Sequence, residues 1–230
     1  LCPLLGGPVV PTHVKLGSVL SMTIYLHNAC GVRLQSNAFD HLVASIMLEL
    51  SLGIVIAMIA SAPFHAARIG GRFIDVFRGT SAEAILPLTG SREAVSADLI
   101  ASALVAVASI GVGSSLVISG LVRSFAWTPL GGFTASESSI SAAVESVAEA
   151  FATGAALAAP VAATSFLIDA IVAMIAKAAP GSGFQDGATP SRILVGGFVL
   201  FASFSASIDQ LMSWSARTPE LLQAVLEPLQ

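Results

Sequence analysis

The sequence predicts an all-α integral membrane protein, made of helical hairpins with about five long hydrophobic helices, some of them kinked. Hydrophobic residues make up 55% of the chain and charged residues only 10%, against about 25% charged in a soluble domain. That is too little polar surface to cover a water-facing fold. The apolar residues also run continuously and do not alternate, which excludes half-buried strands. Alanine, the strongest helix former, is abundant, and in lipid a helix satisfies its own backbone groups without closing a barrel.

Gaps in the charge pattern place the elements. Residues 16–32 carry no charge, and residues 42–67 carry one acid, Glu49. Residues 99–122 are uncharged between Asp98 and Arg123. Residues 150–168 are uncharged, and that apolar run continues past Asp169 to Ala176; residues 193–208 form the last run. A spanning helix takes about 20 residues. The second and third runs are each long enough for one span, whereas the first and last need flanking residues. Pro63 lies near the end of the second run. Pro160 lies inside the fourth, where its missing N–H is expected to kink the helix. Gly53 with Ala57, Gly111 with Ser115, and Gly154 with Ala158 give small-x-x-x-small spacing. Such pairs let helices approach closely, within one chain or against other subunits.

Polar stretches separate the runs. Residues 68–98 form a polar loop region in which Gly70-Gly71, Pro87 and Gly90 are expected to turn the chain. Trp127 to Gly132 reads as a loop. Residues 133–149 read as an amphipathic helix, with Ile140, Val144, Val147 and Phe151 on one side and Glu145 and Glu149 on another. Residues 179–190 are rich in Gly and Pro. The net charge of −4 and the absence of a basic patch exclude nucleic acid. Lys and Arg flank both ends of one span, so loop charge does not set orientation.

Little in the chain suggests covalent chemistry. His13, His27, His41 and His65 are scattered without ligand spacing. There is no phosphate-binding loop and no nucleophile elbow. Cys2 and Cys30 lack a C-x-x-C spacing and read as packing residues. No cofactor, metal or catalytic centre is expected. Two acids fall inside apolar runs, Glu49 and Asp169. A carboxylate at membrane depth is costly and marks a functional candidate. It carries protons, meets a partner's Arg or Lys, lies near a span end and snorkels, or closes an internal polar contact. Asp75 stands at helical spacing from Arg72 and Arg78 and can pair with either. A small-solute or ion secondary transporter is the alternative function, with Pro160, Asp169 and Glu49 at a broken-helix site. The two related halves of such a carrier are not evident.

Several segments, taken in order, carry a family resemblance. They are Pro8-Val9-Val10-Pro11 with Lys15-Leu16, Glu49-Leu50-Ser51-Leu52-Gly53, and Gly71-Arg72-Phe73-Ile74-Asp75 followed by Arg78-Gly79. Next come Pro87-Leu88-Thr89-Gly90-Ser91, and Leu121-Val122-Arg123-Ser124-Phe125 with Pro129-Leu130-Gly131. Ala178-Ala179-Pro180 and Arg192-Ile193-Leu194-Val195-Gly196 close the series. In this order and spacing, over nearly the whole chain, they resemble the FliR/SctT family of the type III secretion export gate. Asp75 with Arg78-Gly79 resembles the injectisome SctT branch more than flagellar FliR. Ile85-Leu86 departs from the family where an acid is expected before Pro87. Gln185-Asp186 departs where members often have apolar residues. The first helix of the family is expected to be missing from the sequence.

The resemblance implies a single export-gate domain over residues 1–230, multi-pass in the bacterial inner membrane within the secretion-system base, with no enzymatic activity. It implies assembly with FliP/SctR-like and FliQ/SctS-like sister subunits into a channel for unfolded proteins. A FlhB/SctU-like switch protein and a FlhA/SctV-like export subunit are further implied partners, with lipid around them. The loop after Asp75, about residues 86–97, is implied to project into the pore and help close it. Its plug residues are Pro87, Leu88, Thr89, Gly90, Ser91, Arg92 and Glu93. Polar backbone with Gly and Pro is tolerated at membrane depth only when buried in protein or lining a wet cavity.

Overall fold

The computed structural model describes residues 10–29, 31–32, 42–80, 83–85, 92–110, 113–127, 130, 137–179 and 187–226. Among them run helices α1 (Thr12–Ala29) and α2 (Leu42–Arg78), then a short hairpin of β1 (Glu83–Ile85) and β2 (Arg92–Ala94). Helices α3 (Val95–Ile110), α4 (Gly113–Trp127), α5 (Glu137–Ala178) and α6 (Ala188–Leu226) follow. The strands pair antiparallel, with Glu83 opposite Ala94 and Ile85 opposite Arg92. Three helices, α2, α5 and α6, are long and apolar enough to cross a membrane. The protein is an all-α membrane protein, as its composition predicts.

Several boundaries differ from those the charge pattern suggests. The polar region 68–98 does not begin as a loop. Instead α2 runs on through Gly70-Gly71 and ends at Arg78. Both glycines are buried against neighbouring backbone, so close packing offsets their intrinsic cost of about 1 kcal/mol each. Pro63 is likewise fully buried inside α2. The amphipathic stretch 133–149 is not a separate helix, because α5 starts at Glu137 and runs through Pro160 to Ala178. No Gly or Pro stands between Glu149 and Phe151 to stop it. Near Pro160, Thr164 Oγ1 donates to the carbonyls of Pro160 (3.1 Å) and Val161 (2.9 Å). The uncharged run 99–122 is divided between α3 and α4. Gly113 opens α4, and glycine disfavours a helix interior by about 1 kcal/mol. α6 continues far past residue 208, because Asp209, Arg217 and Glu220 limit burial in lipid without limiting helix.

The chain folds as two compact units. The first comprises Leu1–Ala62, Val105–Glu149 and Ser213–Gln230. Its core joins Leu52 and Ile59 of α2 to Leu222 of α6, with Val55, Ile56 and Ala142 packed against them. Gly120 of α4 also meets Leu222: a Cβ there would stand 3.3 Å from its Cδ1.

The second unit comprises Pro63–Leu104 and Ala150–Met212. Here α2 and α5 cross where glycine faces glycine. A Cβ on Gly70 would stand 3.0 Å from the Gly154 carbonyl oxygen, and one on Gly154 would stand 2.8 Å from Ile69 Cγ2. Gly154 therefore packs within the chain. Gly53, by contrast, has nothing within 4 Å of where a Cβ would be. Phe73 and Phe151 meet edge to face beside the crossing (centroids 5.7 Å apart), as do Phe77 and Phe166 (5.8 Å). Ile74, Ile100 and Leu104 are fully buried.

Along α5 the buried face is mostly small residues, with Leu157 and Val161 among them, and many large apolar residues face outward. Along α5, Ser139, Ala143, Ser146, Ala150, Gly154, Ala158 and Ser165 are buried. Ile140, Val144, Val147 and Phe151, one residue on, are exposed by half or more. A soluble protein does the reverse. In lipid the surroundings are as apolar as leucine, so close backbone approach holds helices together and small residues are selected at contacts. Hydroxyls in the helices bond to their own backbone: Ser146 Oγ donates to Ala143 O at 2.7 Å and Ser207 Oγ to Ser203 O at 2.9 Å. Such bonds hide polar groups where no water is available.

Candidate functional site

The polar residues of the second unit converge on the end of α2. Its last turn closes through a Schellman motif. Gly79 adopts φ +74°, where a Cβ would be strained. The Gly79 N–H donates to Val76 O (3.0 Å) and the Thr80 N–H to Asp75 O (2.9 Å). The sequence Arg78-Gly79 thus ends the helix. Arg78, in the last turn, also complements the negative end of the helix dipole.

Asp75 sits one turn back and is 4% exposed. Its carboxylate accepts from both sides of the hairpin that follows. Before β1, the Thr80 hydroxyl donates to Oδ1 at 3.2 Å. After β2, the Ser96 hydroxyl donates to Oδ1 at 2.6 Å and the Ser96 backbone N–H to Oδ2 at 2.9 Å. That N–H belongs to the first turn of α3, where helix amides lack intrahelical acceptors and the dipole favours an anion. Asp75 thereby fills an orphan site at the start of α3 from the end of α2. Gly71, one turn earlier on α2, makes the approach possible. A Cβ there would overlap the backbone of Ser96 and Ala97.

Arg78 extends the cluster to α6. Its Nη1 lies 3.9 Å from Asp75 Oδ1, and its Nη2 donates to the Ile193 carbonyl at 3.2 Å. The side chain lies across Gly196-Gly197. A Cβ on Gly196 would stand 2.8 Å from Arg78 Cγ, and one on Gly197 would stand 3.1 Å from Nη2. A buried carboxylate needs compensation in both charge and hydrogen bonds. Here the guanidinium, three donors and a helix N-terminus supply it. Of the two partners that spacing allows Asp75, it faces Arg78.

The other candidates fall elsewhere. Asp169 on α5 pairs with Arg192 on α6, Oδ1 to Nε at 2.6 Å. The N–H is not aimed well enough for a hydrogen bond, so the contact is an ion pair. Within this chain Asp169 thus makes an internal polar contact. Glu49 is half-buried on α2, in the first unit, and engages a polar neighbour of its own. With α5 helical through Pro160 and Asp169 paired, the unwound segment of a transporter site is not found there. Pro87, Leu88, Thr89, Gly90 and Ser91 lie outside the described residues. For Arg92 and Glu93 the backbone is described, as part of β2.

Sequence reasoning singled out Asp75 and Arg78 but missed Thr80 and Ser96. A weak signal was present: Ser96-Ala97-Asp98 is the composition of a helix start. The segment Arg192 to Gly196 gains a physical meaning, since its residues pair with Asp169, accept from Arg78 and make room for Arg78.

The model of a family described as Bacterial export proteins, family 1, matches residues 1–217. No curated protein matches the chain.

Proposed function

We propose that this chain, which belongs to the bacterial export proteins of family 1, is a structural subunit of the type III secretion export gate, forming with sister subunits a channel for unfolded proteins across the inner membrane. Membership makes it a component of a bacterial export apparatus. One observation supports the step from component to channel wall. The most apolar stretches of α2, α5 and α6 are only 17%, 17% and 22% buried within the chain. Faces this open leave room for helices of other chains as well as for lipid. FliP/SctR-like and FliQ/SctS-like subunits are the partners we assign to these faces, with FlhB/SctU-like and FlhA/SctV-like proteins beside them. Asp75 with Arg78-Gly79 favours the injectisome branch.

Extraction in a gentle detergent, followed by mass measurement of the intact particle, tests this reading. The chain is expected in a large complex with two kinds of small hydrophobic partner. Release as a lone monomer would refute it.

Residues 87–93 are assigned as the plug of the channel. Replacing residues 87–91 by a Gly-Ser turn is expected to leave assembly intact and to raise passive ion flux. Unchanged conductance would remove the plug assignment.

A further inference from the structure

We propose that the outward side of the Asp169–Arg192 pair, between α5 and α6, is a binding site for a phospholipid whose headgroup carries both a phosphate and a primary ammonium. The site goes beyond the channel reading and does not depend on what the assembly transports.

The depth of the pair is the first observation. Residues 150–168 of α5 and 193–208 of α6 are uncharged, and Asp169 and Arg192 are the charges that end those two runs. The helices bring these two ends together, with Asp169 Oδ1 2.6 Å from Arg192 Nε. Charges that close apolar runs on neighbouring helices stand where hydrocarbon gives way to headgroups, and long basic side chains reach into that layer.

The pair also leaves bonding capacity unused. Oδ1 and Nε are sealed from the outside and make no hydrogen bond. Yet the Arg192 side chain is 30% exposed and that of Asp169 41%. The exposure therefore lies away from the contact, and leaves Asp169 Oδ2 and the terminal Arg192 NH2 groups to meet what surrounds the chain. Those surroundings are apolar. Leu167 and Ile171 on α5 and Leu194 and Phe198 on α6 lie within two turns of the pair and are themselves exposed.

Charge complementarity decides the occupant. A guanidinium presents parallel N–H groups that fit two phosphate oxygens, and a carboxylate oxygen accepts from an ammonium N–H. The pair is neutral as a whole, so a headgroup of net negative charge gains at Arg192 and loses at Asp169. A choline headgroup is zwitterionic, but its nitrogen has no N–H to give. An ethanolamine headgroup answers both charges, while its acyl chains cover the apolar residues on either side.

The test uses the full chain purified in its assembly and freed of lipid by detergent exchange. It is titrated with phosphatidylethanolamine, phosphatidylcholine or phosphatidylglycerol of identical acyl chains, and mass measurement of the intact particle counts the lipids bound. At one site phosphatidylethanolamine is expected to bind about tenfold more tightly than the other two. Asp169→Asn should level the three lipids, and Arg192→Gln should abolish the tight site for all of them. Equal binding of the three by the unmodified assembly would overturn the proposal, and that arm needs no variant to fold. A preference that survives Asp169→Asn would overturn it as well. Competition by glycerophosphoethanolamine, the headgroup without chains, at equal concentration would remove the assignment to lipid. So would a photoreactive residue at Val195, one turn from Arg192 and partly exposed, that cross-links to another subunit and not to lipid.

Discussion

Gly71→Ala isolates the contact on which the polar cluster depends. The added methyl group would stand 2.6 Å from the Ser96 carbonyl carbon and closer still to Ala97. Carbon atoms in contact sit about 3.5–4.0 Å apart. Both obstacles are backbone, so no rotamer change relieves them, and the start of α3 has to move out by about 1 Å. The Ser96 N–H to Asp75 bond, now 2.9 Å, would then lie beyond useful hydrogen-bond range. Overpacking costs about 1–3 kcal/mol. A lost hydrogen bond to a charged group costs about 1.5–3 kcal/mol. Alanine's better helix propensity offsets about 1 kcal/mol of this. The net destabilisation is about 1.5–5 kcal/mol. Gly53→Ala, on the same helix with open space within the chain at the Cβ position, overlaps nothing of α3 and serves as the comparison. Thermal unfolding of the purified assembly should separate the two variants by on the order of 10 °C, with less Gly71→Ala protein in the membrane. Equal melting of both would refute the claim that α2 and α3 touch backbone to backbone at Gly71.

Gly196→Ala should be milder, about 1–2 kcal/mol, because the obstacle is the flexible stem of Arg78, which can shift at the expense of its bond to Ile193; a loss matching Gly71→Ala in the same melt would contradict this. Asp169→Ala or Arg192→Ala alone leaves the other charge without its ion-pair partner. Membrane abundance should fall in each single variant and recover in the double, and an additive fall in the double would show that the two groups do not act as a pair. Glu49→Ala should reduce co-purification of partner subunits more than Glu137→Ala does, and equal recovery of partners from both would remove the reason to single out Glu49.

Composition alone determined the solvent of this protein. With so few charges in 230 residues, only lipid or other oily chains can surround it, and continuous Ala-rich runs in that solvent must be helices. The runs at 42–67 and 150–176 placed α2 and α5 because an apolar segment of that length, broken by a single acid in each (Glu49 and Asp169), has no other use. Charge could not place the helix ends. Helical hydrogen bonding is indifferent to Arg68, Glu149 or Asp209 and stops where backbone geometry changes, as at Gly79. The inward face was also illegible. Ile140, Val144, Val147 and Phe151 form the obvious apolar stripe, yet the structure buries the small residues beside them, because lipid removes the advantage of hiding large side chains. Asp75 could be marked from its neighbours Arg72 and Arg78. Its true partners Thr80 and Ser96 come from opposite ends of a hairpin, and only the close approach of α2 and α3 at Gly71 brings them to one carboxylate.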